Sequence, residues 1–251
     1  MALPRIDTPT YQTQLPSTGE TIQFRPFLVK EQKVIMMAEE SQDQNSMASA
    51  MVHLVGSCTF NKIDIAHAPT FDVEYLFMKI RAKSVGETID VNIICPDDGV
   101  TTTPVRIKID DIKIDKLENH TNVLNITDKI KVYLRYPCIS DIGSFSNLET
   151  TDGMFKILYR CINEIHYGDD VFNRIDISDK DIEEFVEQLT TEQFQNMTRF
   201  FDTMPKLRHV VEVTNPKTNV KSEVVLEGLQ SFLEYVFLMI VFIIIIKLIL
   251  H

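Results

Sequence analysis

The chain has 251 residues, of which 44% are hydrophobic, and it carries a formal net charge of −11. That hydrophobic content is enough to build a packed core, which excludes an intrinsically disordered chain. The acidic balance repels phosphate backbones, and no cluster of lysines and arginines with interleaved aromatic residues offsets it. We therefore expect no nucleic acid among the partners of this protein.

Cysteine usage and short motifs narrow the class further. The four cysteines lie far apart and form no CxxC pair, and residues 1–12 contain no apolar signal core, which predicts free thiols in a reducing cytoplasm. The sequence has no nucleophile elbow, Walker loop, dinucleotide fingerprint or HExxH motif. Cys138, Cys161 and His166 are only a weak candidate for a metal site, because their spacing is not tight. We expect buried thiols, no cofactor and no enzymatic activity.

Residues 15–40, LPSTGETIQFRPFLVKEQKVIMMAEE, change their hydrophobic period halfway. Residues 16–19 have the composition of a turn, and residues 21–24 alternate with a period of two. From residue 28 the apolar positions recur at helical spacing. The stretch therefore predicts a β-hairpin that leads into an amphipathic helix, and this helix needs other elements to bury its apolar side.

Four residues, Arg25, Pro26, Phe27 and Leu28, lie where the predicted strand becomes the predicted helix. Proline suits the start of a helix, since its fixed φ is already helical. Phe27 and Leu28 either anchor the helix to the core or form a partner-facing patch. We favour the core, because buried Phe and Leu side chains are the usual case.

Two more amphipathic helices are predicted before Gly86, the second with Thr70 at its N-cap. Beyond Gly86 a period of two predicts an antiparallel hairpin whose long tip is CPDDG at residues 95–99. Further strands are predicted near residues 112–114 and 130–136. A small antiparallel sheet thus occupies the middle of the chain.

Helical patterns return at Thr151. The first predicted helix has four apolar residues on one face: Phe155, Leu158, Ile162 and Ile165. Capping-box-like starts at Ser178 and Thr190 predict two further helices. Residues 207–213 and 220–226 then read as strands of a closing hairpin, separated by an Asn-Pro-Lys-Thr-Asn turn.

Together these patterns predict an α+β fold in which amphipathic helices pack with a small antiparallel β-sheet, followed by a C-terminal hydrophobic tail. We expect four segments. Residues 1–86 are an N-terminal hairpin plus helices, residues 87–149 an antiparallel β region, residues 150–231 a helical region with a closing hairpin, and residues 232–251 the tail.

The tail contains twelve uninterrupted apolar residues from Tyr235 to Ile246. Its length approaches the ~20 residues that a membrane-spanning helix needs. Glu234, Lys247 and the lack of flanking charges weaken that interpretation. The residues of this candidate membrane segment include Phe232, Leu233, Tyr235, Val236, Ile246 and Leu250.

The genetic code offers a second interpretation of the tail. Sixteen of the nineteen residues from 232 to 250 are Phe, Leu, Met, Ile or Val, whose codons all have U in the second position. Read one nucleotide earlier, such codons end in U and can encode an ordinary polar sequence. Ser231-Phe232-Leu233 can be encoded as UCU UUU UUA, which contains a slippery heptamer for minus-one frameshifting. The tail is therefore either a membrane anchor or the unshifted ending of a frameshifting gene.

Three passages resemble one known family. They are MALPRIDTPTY followed by LPSTGETIQFRPFLVKEQKVIMMAEES, the later CPDDG loop, and the ending VVLEGLQSF. In these passages the chain is similar to the baseplate hub assembly proteins of T4-like (T-even-like) contractile-tailed bacteriophages. The similarity spans most of residues 1–232 and ends where the hydrophobic tail begins.

This resemblance implies a late phage protein that helps to build the central hub of the tail baseplate and is absent from the finished particle. Its implied partners are other phage baseplate hub proteins, and the family supplies no catalytic residues. A structural hub subunit is the alternative function, and a tail-anchored protein that recruits the baseplate to the host inner membrane is the second alternative. The implied location is the host cytoplasm during phage assembly, with the inner membrane or the virion baseplate as alternatives.

Overall fold

In the computed structural model the described residues are 6–41, 44–142 and 151–233. They divide into two compact units. The first unit contains the chain up to Asp115 and again from Lys206 onward, whereas the second spans Lys116–Pro205. The second unit is therefore an insertion in the sequence of the first.

The described chain contains both helices and short antiparallel strands, which confirms the predicted α+β class. In chain order these elements are β1 (Tyr11–Gln14), β2 (Thr21–Phe24), α1 (Val29–Ser41), α2 (Gln44–Cys58), α3 (Thr70–Ser84), β3 (Thr88–Ile94), β4 (Thr102–Lys108), β5 (Lys113–Asp115), β6 (Val123–Asn125), β7 (Ile130–Leu134), α4 (Ile139–Ile142), α5 (Thr151–Cys161), β8 (Ile162–Tyr167), β9 (Asp170–Asn173), α6 (Asp179–Glu187), α7 (Thr191–Thr203), β10 (Lys206–Thr214), β11 (Lys221–Glu227) and α8 (Gln230–Leu233).

The first unit contains three small antiparallel sheets, β1–β2, β3–β4 and β11–β10–β5. The predicted first hairpin is confirmed. Its turn is closed by hydrogen bonds from Leu15 N to Glu20 O and from Gly19 N to Leu15 O, at 2.9 and 2.8 Å. Gly19 has a φ of +72°, a backbone conformation that glycine adopts without steric cost.

Helix α3 carries much of the first unit's core, and Leu76 and Ile80 are fully buried on it. The prediction that Thr70 caps this helix is wrong, because Thr70 is its first residue and Pro69 occupies the N-cap without a side-chain bond. The extended Pro69 carbonyl accepts the N–H groups of Asp72 and Val73 instead. The helix thus begins one residue earlier than it would with Thr70 as the N-cap.

The second unit has one four-stranded sheet in the order β6–β7–β8–β9. Its core is a cluster of buried apolar residues from the sheet, from the residue after β6 and from helices α5, α6 and α7: Ile126, Val132, Leu134, Leu158, Ile162, Ile165, Ile182, Val186, Met197 and Phe200. Both predicted capping boxes are confirmed, with Ser178 paired to Asp181 at α6 and Thr190 paired to Gln193 at α7.

The predicted single helical face from Phe155 to Ile165 is wrong in its second half, since α5 ends at Cys161 and β8 begins at Ile162. Ile165 pairs with Val132 of β7. Spacings of three and four fit a helix, but β-branched isoleucines also suit a strand, and pairing with β7 decides between the two. Local periodicity could not reveal that partner.

The expected segment boundaries after residues 86, 149 and 231 do not coincide with the division into two units. Strand β10 pairs with β5 in the register Lys206↔Asp115 to Arg208↔Lys113, so the closing hairpin completes a sheet of the first unit. This pairing joins strands on either side of the whole second unit, and composition or periodicity gives no sign of it.

Candidate functional site at two strand-to-helix junctions

A buried ion pair organises the junction between β2 and α1. Arg25 follows β2 directly, and its N–H donates to the carbonyl of Cys58 at 2.9 Å. Its guanidinium Nη2 donates to Glu31 Oε1 at 2.8 Å, and Nη1 approaches Oε2 at 3.4 Å. Arg25 is 8% exposed and Glu31 is fully buried. The end of the strand and the first turn of the helix are thereby fixed to each other.

Glu31 also caps the helix that it belongs to. Its Oε2 accepts the backbone N–H of Leu28 at 2.8 Å, which is half of a capping box. Burial alone would raise the pKa of Glu31, but the hydrogen bonds from Arg25 and Leu28 outweigh it, so the pKa lies below its ordinary value. The carboxylate is therefore charged at neutral pH.

The four junction residues predicted from the sequence differ in exposure. Arg25 is buried, Pro26 and Phe27 are half-buried, and Leu28 is 39% exposed. The Phe27 N–H donates to Ser84 Oγ of α3 at 3.0 Å, which holds this segment on the first unit. Leu28 is therefore accessible to solvent, next to the ion pair between Arg25 and Glu31.

Leu28 begins a surface that we call the α1 surface, formed by Leu28, Val29 and Met37. Val29 is 80% exposed and Met37 is 59% exposed. Leu28 and Val29 are adjacent at the start of α1, whereas Met37 lies about two turns further along and about 80° around the helix axis from Val29. The ion pair between Arg25 and Glu31 fixes the first turn, next to Leu28 and Val29.

The second unit contains the same arrangement at the junction after β7. The Arg135 N–H donates to the carbonyl of Cys161 at 2.8 Å, and its guanidinium forms two 2.7 Å bonds to Asp141. Asp141, which is 5% exposed, accepts the backbone N–H of Cys138 at 2.9 Å. Burial alone would raise the pKa of Asp141, but bonds from Arg135 and Cys138 lower it below its ordinary value.

The two junctions share a sequence pattern. In FRPFLVKE and LRYPCISD an arginine follows the strand, a proline comes one or two residues later, and a carboxylate comes six residues after the arginine. Each arginine also donates to the carbonyl of the residue after it, Pro26 or Tyr136. In each case a cysteine at the end of a later helix supplies the carbonyl that accepts the arginine N–H. Neither Glu31 nor the second junction was predicted from the sequence, although this spacing is visible in it.

The thiols near these clamps are structural. All four cysteines are free and buried. Burial raises the pKa values of Cys58 and Cys161 to about 12, so both remain protonated at neutral pH. Among the described residues no group of three His, Cys, Asp or Glu side chains could hold a metal ion. His166, from the weak metal candidate, instead bonds to Glu164 Oε2 at 2.9 Å.

One protein family matches most of the chain. The sequence model of the family described as T4 bacteriophage base plate protein matches residues 8–234. The chain belongs to this family. Membership in the T4 baseplate family implies interaction with other phage baseplate proteins and a role in the virion or in its assembly. No curated protein and no solved structure matches the chain significantly.

The residues predicted for the tail fall mostly outside the described chain. Phe232 is fully buried and Leu233 is the last described residue, whereas Tyr235, Val236, Ile246 and Leu250 lie beyond it. No helix within residues 6–41, 44–142 and 151–233 is long and apolar enough to cross a membrane.

Proposed function

We propose that this member of the T4 baseplate family is an assembly factor that binds baseplate hub subunits while the tail is built, and that it is not an enzyme. The observation that carries the proposal is the α1 surface, where Leu28, Val29 and Met37 are exposed. Exposed apolar groups that cluster on a protein surface mark interaction sites. The family match supports a baseplate protein as the partner.

The buried ion pair between Arg25 and Glu31 fixes the first turn of α1 before a partner binds. Glu31 holds the N–H of Leu28, and Arg25 holds Glu31, so the backbone of the first helical turn has a fixed position. Binding groups that are fixed in advance lose less conformational entropy on association. The α1 surface is therefore presented in a preorganised form.

Purified tails distinguish an assembly factor from a structural subunit. An assembly factor is present in infected cells and in baseplate intermediates but absent from mature particles. Quantitative mass spectrometry of mature tails that finds the protein in stoichiometric amounts would contradict our proposal and favour a structural subunit of the hub.

The role of the α1 surface is tested with the double variant Leu28→Ser/Val29→Ser. We expect the variant to lose co-purification with the phage's hub proteins when they are co-expressed, while its thermal unfolding remains close to that of the parent protein. Val171→Ser is the control, because Val171 is 51% exposed in the other unit. Equal binding by both variants would remove the α1 surface from the proposal.

The hydrophobic tail has two proposed origins, a membrane anchor or the unshifted ending of a frameshifting gene. The family match ends at residue 234, so it does not include most of the hydrophobic tail. The nucleotide sequence at Ser231-Phe232-Leu233 decides for or against frameshifting, because that interpretation needs a slippery run and an open shifted frame. Fractionating infected cells that express a protein truncated at residue 232 tests the membrane anchor.

A further inference from the structure

Strand β11 is the outermost strand of the β11–β10–β5 sheet in the described chain. Bonds from Asn215 N to Val220 O and from Gly228 N to Leu207 O, both 2.9 Å, fix the phase of its ladder with β10. Hydrogen-bonded and non-hydrogen-bonded pairs alternate in an antiparallel ladder. The even-numbered residues of β11 therefore bond to β10. The odd-numbered residues direct their N–H and C=O groups away from the sheet: Lys221, Glu223, Val225 and Glu227.

The side chains of β11 follow the same alternation. Those of the four odd-numbered residues are exposed on one face, and Val225 is 45% exposed. On the other face Ser222, Val224 and Leu226 are only half-buried, although the neighbouring Val211 and Val213 of β10 are buried. Among the described residues, the apolar layer under the sheet thus extends to β11, where it is only partly covered.

We propose that this edge binds a second copy of the chain, with β11 pairing antiparallel to β11 of the partner copy about a two-fold axis at Val224. An axis perpendicular to the sheet keeps the covered faces of both copies on the same side. Residues of equal parity then lie opposite each other, as antiparallel pairing requires. The result is a continuous six-stranded sheet.

The charges on the strand select this register. In the register centred on Val224, all seven residues of each strand pair. Lys221 of each copy lies opposite Glu227 of the other copy, which makes two attractive pairs. A register centred on Glu223 places two copies of that carboxylate opposite each other. A register centred on Val225 places Glu223 opposite Glu227 twice. Since like charges directly opposite are destabilising, the seven-residue register is favoured over both five-residue alternatives.

The backbone and the apolar layer fit the same register. Glu223 of one copy lies opposite Val225 of the second copy. Both residues direct their N–H and C=O groups outward, so they can form a hydrogen-bonded pair. The half-buried Val224 meets its own copy on the covered face, which extends the apolar layer across the axis. The Glu227 carbonyl accepts a bond from Ser231 Oγ at 2.5 Å but retains a second lone pair for the ladder.

Charged residues on an edge strand often prevent edge-to-edge contact, and β11 carries three of them. Lys221 is 70% exposed at its side chain, where it pairs with Glu212 at 2.9 Å. Such exposed pairs contribute little to stability, so Lys221 can exchange Glu212 for Glu227 of a second copy at low cost. In this register the charges specify pairing instead of blocking it.

Sedimentation velocity of the full chain over a range of concentrations measures the association. We expect a dimer that dissociates on dilution. Lys221→Glu or Glu227→Lys alone should raise the dimer dissociation constant about tenfold, because two attractive pairs become repulsive, and the double variant Lys221→Glu/Glu227→Lys should restore it. Lys113→Glu, on the opposite edge strand β5, is the matched control and should leave dimerisation unchanged.

Val225→Pro provides an independent test. The Val225 N–H does not bond to β10, so proline there removes only an outward donor, and proline is tolerated at such edge positions. We expect this variant to remain folded by circular dichroism but to be monomeric. Three results would each overturn the proposal. They are a monomeric parent protein, a dimer that persists in Val225→Pro, and a double charge variant that dimerises no more tightly than the single variants.

Discussion

At the scale of single residues, Glu31 connects the buried guanidinium of Arg25 to the first turn of α1. Its carboxylate pairs with Arg25 and accepts the N–H of Leu28. Replacing it by alanine leaves a buried guanidinium uncompensated and the helix uncapped. We expect Glu31→Ala to lower the free energy of unfolding of the first unit by about 3 kcal/mol, as breaking a buried pair does, measured by urea denaturation.

The matched control for Glu31→Ala is Glu20→Ala, because Glu20 is exposed in the first hairpin. The exposed substitution should change stability by no more than about 0.5 kcal/mol. If both variants unfold at the same urea concentration, the clamp contributes no more than a surface carboxylate. Glu31→Gln separates charge from shape, since the amide oxygen can still accept the Leu28 N–H but the ion pair with Arg25 is lost.

Glu74 on α3 has a pKa shift of the opposite sign to that of Glu31, and this shift gives a pH prediction. Burial raises its pKa from 4.5 to about 7, although the Leu229 N–H bonds to it. Between these two values the folded protein holds a proton that the unfolded chain has released, so stability falls as pH rises through this window and is level above it. Glu74→Gln should flatten this slope and add up to about 3 kcal/mol at pH 8. A series of urea titrations from pH 4.5 to 8 measures the slope. An unchanged slope in the variant would contradict the assignment.

At the scale of elements, the sequence predicts what depends on near neighbours. The capping boxes at Ser178 and Thr190 are such features, because the cap and its partner are three residues apart. The strand at Ile162 depends on pairing with β7 and could not be predicted in this way. Arg25 and Cys58 meet through the fold, so the role of the first junction was equally invisible, although its residues were singled out.

The two capping boxes make a prediction at this scale. Ser178→Ala and Thr190→Ala should each destabilise the second unit by about 1 kcal/mol, since each leaves a helical N–H without its acceptor. Thr198→Ala on α7 is the control because Thr198 lies inside the helix, where alanine is the better helix former. Thermal unfolding followed by circular dichroism measures all three. A loss in Thr198→Ala as large as in Thr190→Ala would mean that the cap is not the cause.

At the scale of the whole molecule, the second unit interrupts a sheet of the first at one place. Strand β5 ends at Asp115 and β10 begins at Lys206, and these two residues are paired. In β10 the odd-numbered residues bond to β11, so Lys206 bonds towards β5. Asp115 and Lys206 are thus a hydrogen-bonded pair, the kind that flanks a two-residue hairpin loop.

Replacing residues 116–205 by Asn-Gly should therefore turn β5 and β10 into a direct hairpin, because Asn-Gly favours the type I′ turn that suits such loops. We expect this shortened chain to fold cooperatively, and residues 116–205 to fold when expressed alone, since their apolar cluster lies entirely within that segment. Heteronuclear NMR of both proteins measures the outcome. A shortened chain with an Ala-Pro replacement is the control, because proline lacks the N–H and the positive φ that the turn requires, and it should be less stable. Poorly dispersed amide resonances from the Asn-Gly protein would show that the first unit needs the inserted unit in order to fold. The two units would then be one cooperative structure.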